Sequence, residues 1–187
     1  MSAALLARLA RSANRLRPSR RFVRCRKAAT AVEFALVAAP FLALLVALFQ
    51  TALVFFAGRV LDETVEEASR VIMTGQAQTE GMTASQFNTW LCSNTAALFN
   101  CNNFLVNVQN YASFSAANTS TPTLTFGSNG AVSNNWNFDT GNPGDIVVVQ
   151  VMYQWPIVLG PLGFNLANLS NGNRLLVSTI VFKNEPY

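Results

Sequence analysis

The stretch FALVAAPFLALLVALFQTALVFFAG, residues 34–58, decides how this chain is built. It is 25 consecutive uncharged residues, mostly Ala, Leu, Val and Phe, with Gln50 and Thr51 as its most polar members. About 20 apolar residues cross a bilayer as a helix, and a core helix of a soluble domain keeps a polar face. The run therefore predicts a membrane span. Arg8, Arg11, Arg15, Arg17, Arg20, Arg21, Arg24, Arg26 and Lys27 precede it with no acid among residues 1–27, whereas Arg59 is followed at once by Asp62, Glu63, Glu66 and Glu67. Basic residues collect on the cytoplasmic side, so the N-terminus is expected inside and residues from about 58 onward outside. The apolar run exceeds the roughly 7–15 residues of a secretory h-region, and no small-residue cleavage site follows it.

The same charge map removes whole classes of function. The 187 residues carry a net charge of +4, and the pI is about 9.3. Residues 1–27 hold nine basic groups, and residues 28–187 hold four basic against nine acidic ones, a net −5. A nucleic-acid-binding domain carries its positive charge on the folded body, and this body is acidic, so no nucleic-acid partner is expected. The absence of His excludes Ser-His and Cys-His catalysis and leaves zinc without its commonest catalytic ligand. With no visible nucleophile–base pair, neither enzymatic activity nor a metal or cofactor is expected.

Beyond the span, Leu61, Val65, Ala68 and Ile72 recur at helical spacing. Glu66 reaches Arg70 at i+4, and Gly75 reads as a stop. The spacing predicts one helix over 29–74, 46 residues or about 69 Å, its outer half amphipathic and showing an apolar stripe to a partner. Thr83-Ala84-Ser85-Gln86 has the form of a capping box opening a short helix through Leu91. The expected strands are Phe104–Tyr111, Thr121–Phe126, Asp145–Trp155 and Arg174–Lys183, with a long loop over Pro156–Asn173. Asn is concentrated here: 18 of 19 lie after residue 87. The pattern favours an α+β fold, a long N-terminal helix packed on a small antiparallel sheet. It divides into a basic leader (1–28), a transmembrane half-helix (29–57), an amphipathic half-helix (58–75) and an outer α+β domain (76–187). Trp90, Trp136, Trp155 and the Phe residues read as core, and Asp139 and Asp145 as turn residues.

Glu33 is the one charge embedded in the apolar region, and an acid at membrane depth is a functional hypothesis with a partner to be named. Its surroundings, Ala28-Ala29-Thr30-Ala31-Val32-Glu33-Phe34-Ala35-Leu36 after a basic tract, resemble the N-terminal signature of prepilins, and more narrowly the TadE-like proteins of the Tad (Flp) pilus machinery. Further segments in family order include Glu67-Ala68-Ser69-Arg70, Gly144-Asp145-Ile146-Val147-Val148-Val149 and Asn184-Glu185-Pro186-Tyr187. The resemblance implies a pilin-like fold and a prepilin peptidase that cuts between Ala28 and Ala29, making Glu33 the fifth residue of the mature chain. Ala28 stands where the family usually has Gly. Phe34, in place of the Tyr of major Flp pilins, points to a minor, pseudopilin-like member. The partners implied are the peptidase, other Tad pilins and pseudopilins, the inner-membrane pilus platform and the lipid bilayer. The location implied is the bacterial inner membrane, with a periplasmic outer domain, or the cell surface within a pilus.

Physics gives Glu33 a matching role. The α-amine exposed at Ala29 would be cationic near neutral pH, and a neighbouring subunit's Glu33 would neutralise it and set the axial register of packed helices. Cys92 and Cys101 face an oxidising compartment on this topology, where a disulfide is the natural reading and two buried thiols the alternative. Cys25 lies on the reducing side and would leave with the leader. Two functions compete: a processed minor pilin that primes or joins a pilus and aids adhesion, or an unprocessed single-pass protein whose outer domain is an adhesin or sensor.

Overall fold

The computed structural model describes residues 26–95, 98–128, 130–158 and 164–187, with side chains from Thr30 onward. The leader up to residue 25, including Cys25, lies outside the described residues. The elements are helix α1 (Arg26–Met73), a single turn α2 (Gln76–Thr79), helix α3 (Ala84–Asn94), a 3₁₀ turn (Cys101–Asn103), and strands β1 (Phe104–Tyr111), β2 (Ile146–Pro156) and β3 (Asn173–Lys183). The chain divides after Ala47 into two compact units. This is the α+β arrangement expected, a long apolar N-terminal helix and a three-stranded antiparallel sheet.

In the unit from Leu48 onward, α1 is held by a stripe that recurs every three or four residues: Val54, Ala57, Leu61, Val65, Ala68 and Ile72, all buried. That spacing keeps one face of a 3.6-residue helix toward the core. The stripe joins one hydrophobic cluster with Phe87 and Leu91 of α3 and with Val106, Val108, Val147, Val149, Val151 and Phe182 of the sheet. An apolar stripe open to a partner is therefore not what the fold contains. The chain's own sheet and α3 take up that face, because burying it internally removes the same apolar area from water without losing the freedom of a second molecule. The stripe also begins inside the uncharged run, at Val54. Two hydroxyls buried along it, Thr64 and Ser69, donate to the carbonyls of Val60 and Val65 at 2.8 and 2.7 Å.

The sheet order is β1-β2-β3, with Val108 opposite Val149 and Val149 opposite Ile180. Alternation sends Val147, Val149, Val151 and Tyr153 into the core with α1. On the other face of β2, Ile146, Val148, Gln150 and Met152 are also buried. A central strand covered on both faces reads as a continuous apolar run, and Gln150 is the polar interruption. Its side-chain oxygen accepts from the Asn107 amide on β1 at 3.1 Å, and its own amide donates to the Ser120 carbonyl at 3.0 Å. Segment 137–139 lies along β1, with the Val108 amide donating to the Asn137 carbonyl and the Asp139 amide to the Val108 carbonyl, at 2.8 and 3.0 Å.

Of the four expected strands, three form. Thr121–Phe126 does not, apart from a single bridge between Phe126 and Val132. Its backbone is satisfied by a side chain instead: Asn134 accepts from the Thr125 amide at 2.7 Å and donates to the Thr123 carbonyl at 3.0 Å. A side-chain amide competing for backbone groups is the usual way Asn diverts a chain from a ladder. The expected helix at Ala84 is opened by a full capping box, the Gln86 side chain accepting from the Thr83 amide at 2.8 Å and the Gln86 amide donating to the Thr83 hydroxyl at 3.3 Å. It runs one turn past Leu91, to Asn94.

Candidate functional site

The stretch of α1 that precedes its buried stripe is the first candidate. Val32, Phe34, Leu36, Val37, Phe41, Leu42, Leu44, Leu48, Phe49 and Leu53 are all at least half exposed. The most apolar 18-residue window of the helix has a mean hydropathy of 2.4 and none of it is buried. In water such a surface would be an aggregation site, whereas in hydrocarbon it is matched, and the helix satisfies its own backbone there. Pro40 lies inside the helix, a substitution that membrane helices tolerate because neighbouring groups take up the freed carbonyl.

Glu33 is exposed on this surface and is its only ionisable side chain from Thr30 to Gly58. Among the described residues the one ion pair is Glu66–Arg70, at 3.4 Å, the i+4 pair read from the sequence. Both partners are largely exposed, so it contributes little to stability. At the expected cut, Ala28 and Ala29 are described in backbone only, as part of α1. Glu33 lies four positions after Ala29, one helical turn and about 6 Å of rise. An amine at Ala29 and the Glu33 carboxylate would thus be offset along the axis by a distance that a shifted neighbouring helix can close.

The unit from Leu48 onward carries a second set of features. Cys92 and Cys101 form a disulfide that ties the end of α3 to the turn before β1. Beside it Phe99 meets Tyr153 edge-on at 4.9 Å and stacks with Phe104 at 5.7 Å, and the Tyr153 hydroxyl accepts from the Asn100 amide at 3.1 Å. At the far end of α1, Gly75 turns the chain with φ +80, as its place after the last periodic residue suggested. Residues 184–187 close over that turn. The Glu185 amide donates to the Met73 carbonyl at 2.9 Å, one of the helix's last acceptors. The ring of Tyr187 lies against Gly75 so closely that a Cβ there would fall 2.1 Å from it. Asp139 and Asp145 serve turns, accepting from the Gly141 and Asn142 amides at 3.0 and 2.8 Å.

Three tryptophans were expected in the core, and two pack against it, Trp90 and Trp155. Trp136 does not. It is half-buried on the far side of the Asn107–Gln150 pair and lines a cleft there. Its surroundings, Asn134, Asn135 and Asn137, were the available signal, although Phe138 two residues on does pack against the core.

Comparison with known proteins reaches the first of these features. Residues 28–70 match the family model described as TadE-like protein, the family that the Ala28–Leu36 signature resembles. The match covers less than a quarter of the chain and includes Glu33, the exposed apolar surface and most of the buried stripe. The family is associated with Tad pili. No curated protein and no solved structure matches the chain.

Proposed function

We propose that this chain, TadE-like over residues 28–70, is a minor pilin or pseudopilin of a Tad-type pilus. It inserts with its N-terminus inside, is cleaved by a prepilin peptidase between Ala28 and Ala29, and packs through α1 against other pilins and pseudopilins at the inner-membrane platform. There it primes or joins the pilus, and its outer domain faces outward and aids adhesion. The observation that carries the reading is the exposed apolar surface of α1 with a single carboxylate on it, Glu33, one helical turn after Ala29. An unpaired carboxylate at membrane depth is costly, and a nearby α-amine left unpaired is equally so. Pairing Glu33 of one subunit with the Ala29 amine of the next relieves both and fixes one register out of the many that a smooth apolar helix permits. The work done is packing, and no catalytic step is required of the chain.

Mass spectrometry of the membrane-resident protein tests the processing. The expected mature N-terminus is Ala29. An intact leader would instead support the unprocessed adhesin or sensor, a reading favoured by Ala28 standing at the position before the cut. For the register, Glu33→Ala is expected to be inserted and cleaved but to drop out of the pilus or its assembly complex. Unchanged incorporation of that variant would overturn the pairing.

A further inference from the structure

The cleft beside Trp136 has a volume of about 300 Å³, at the small end of ligand sites. Its floor is the Asn107–Gln150 pair, both side chains more than nine-tenths buried. Ser120, Pro122, Asn134, Asn135 and Trp136 line it above the pair. The floor and lining are fixed in advance. Gln150 holds Ser120, Asn107 accepts from the Asn137 amide at 3.2 Å, and Asn134 is bonded to both Thr123 and Thr125. Two groups at the rim are not committed. Among the described residues, Asn135 makes no side-chain hydrogen bond and the Trp136 indole N–H has no acceptor. Trp136 belongs neither to the core cluster nor to any ring pair.

Chemistry narrows what such a cleft can hold. None of its lining residues is charged, so a phosphate, an acidic sugar or a cationic peptide would surrender its hydration without a counter-charge. A hydrocarbon ligand would strip water from amides that it cannot repay with hydrogen bonds. What remains is an uncharged molecule dense in donors and acceptors that also offers one flat apolar face. Asn side chains present two donors and an acceptor each, the complement of vicinal hydroxyls, and the indole face suits the C–H side of a pyranose ring.

We propose that the outer domain binds uncharged saccharide in this cleft, stacked on Trp136 and hydrogen-bonded by Asn135 and the neighbouring amides. The inference gives a ligand class to the adhesion part of the reading above and rests on it for its biological sense, though binding itself needs neither cleavage nor assembly.

The test is calorimetric titration of the full chain in phosphatidylcholine nanodiscs with maltohexaose, cellohexaose and N-acetylchitohexaose. A heparin hexasaccharide serves as the acidic comparison and an uncharged hexapeptide as the competing ligand class. At least one neutral sugar is expected to bind saturably, with Trp136→Ala weakening it about tenfold, Trp136→Phe retaining most of the affinity and Asn135→Ala losing part of it. The thermal midpoint of each variant is read alongside, and a loss of binding counts only where the fold is kept; Asn135→Ala, at an exposed side chain, keeps the proposal testable if Trp136→Ala unfolds. The proposal is overturned if none of the three neutral sugars binds, if only the heparin fragment or the peptide binds, or if binding is the same in the folded Trp136 and Asn135 variants. Absence of binding in a chain whose mature N-terminus is Ala29 would remove the saccharide site and leave the pilin reading standing. Binding by a chain that keeps its leader would do the reverse.

Discussion

Replacing Gly75 by Ala tests how the end of α1 is closed. The residue sits at φ +80, where an L side chain costs about 1–2 kcal/mol. The added Cβ would also lie 2.1 and 2.2 Å from the Cδ1 and Cγ atoms of Tyr187, so the ring must leave. With it goes some or all of the Glu185–Met73 hydrogen bond, about 1 kcal/mol, for a total of about 2–3 kcal/mol. For a chain of this size that lowers the thermal midpoint by about 4–12 °C. The assay is near-UV circular dichroism of the full chain in nanodiscs. Its decisive arm is the same substitution in a Tyr187→Ala background, where the clash is already gone and only the backbone term of about 1–2 kcal/mol remains. If Gly75→Ala costs the same in both backgrounds, the closure by residues 184–187 plays no part in stability and the reasoning fails.

Two further outcomes follow from the construction of the unit that begins at Leu48. Replacing both Cys92 and Cys101 by Ser should cost about 2.7 kcal/mol in loop entropy, read as a lower urea midpoint. Reductant on the wild-type protein should reproduce the shift, and an unchanged midpoint would mean the disulfide adds nothing. Leu61→Ala removes a side chain only 1% exposed and should cost about 2–5 kcal/mol. Leu48→Ala, 58% exposed on the same helix, should leave the melt within about 0.5 kcal/mol of wild type. Equal effects at the two positions would refute the division of α1 into a buried stripe and an open surface.

What the sequence makes legible here is what depends on near neighbours. Thr83 and Gln86 announce their helix because the cap is closed within four residues. Phe104–Tyr111 is bounded as read, since its alternation is written in its own residues. The i+4 pair Glu66–Arg70 belongs to the same class. Features made by distant segments were not legible. Tyr187 meets Gly75 across more than a hundred residues. Asn134 captures the backbone of a stretch whose Thr-Leu-Thr-Phe pattern would suit a strand if it had a neighbour. The burial of Val54 and Ala57 is hidden by composition, since in an unbroken apolar run the residues packed against protein look like those left exposed. The Glu33 signature was visible because one acid in such a run stands out, and the residues around it are those the family model matches.

The Asn107–Gln150 pair has a bearing on how the sheet finds its pairing. Sliding β1 along β2 by two residues returns every side chain to its own face, so the apolar core-facing residues, Phe104, Val106 and Val108 against Val147, Val149, Val151 and Tyr153, offer little penalty against that error. In the slip that sets Asn107 opposite Val148, Gln150 would face Leu105; in the opposite slip Gln109 would meet Gln150 and Asn107 alone would face Met152. The first encloses two amides without a partner and the second one, at about 1–3 kcal/mol apiece. A polar contact of small net worth in the correct alignment thus acts as a key, rejecting alignments that the hydrophobic side chains would accept.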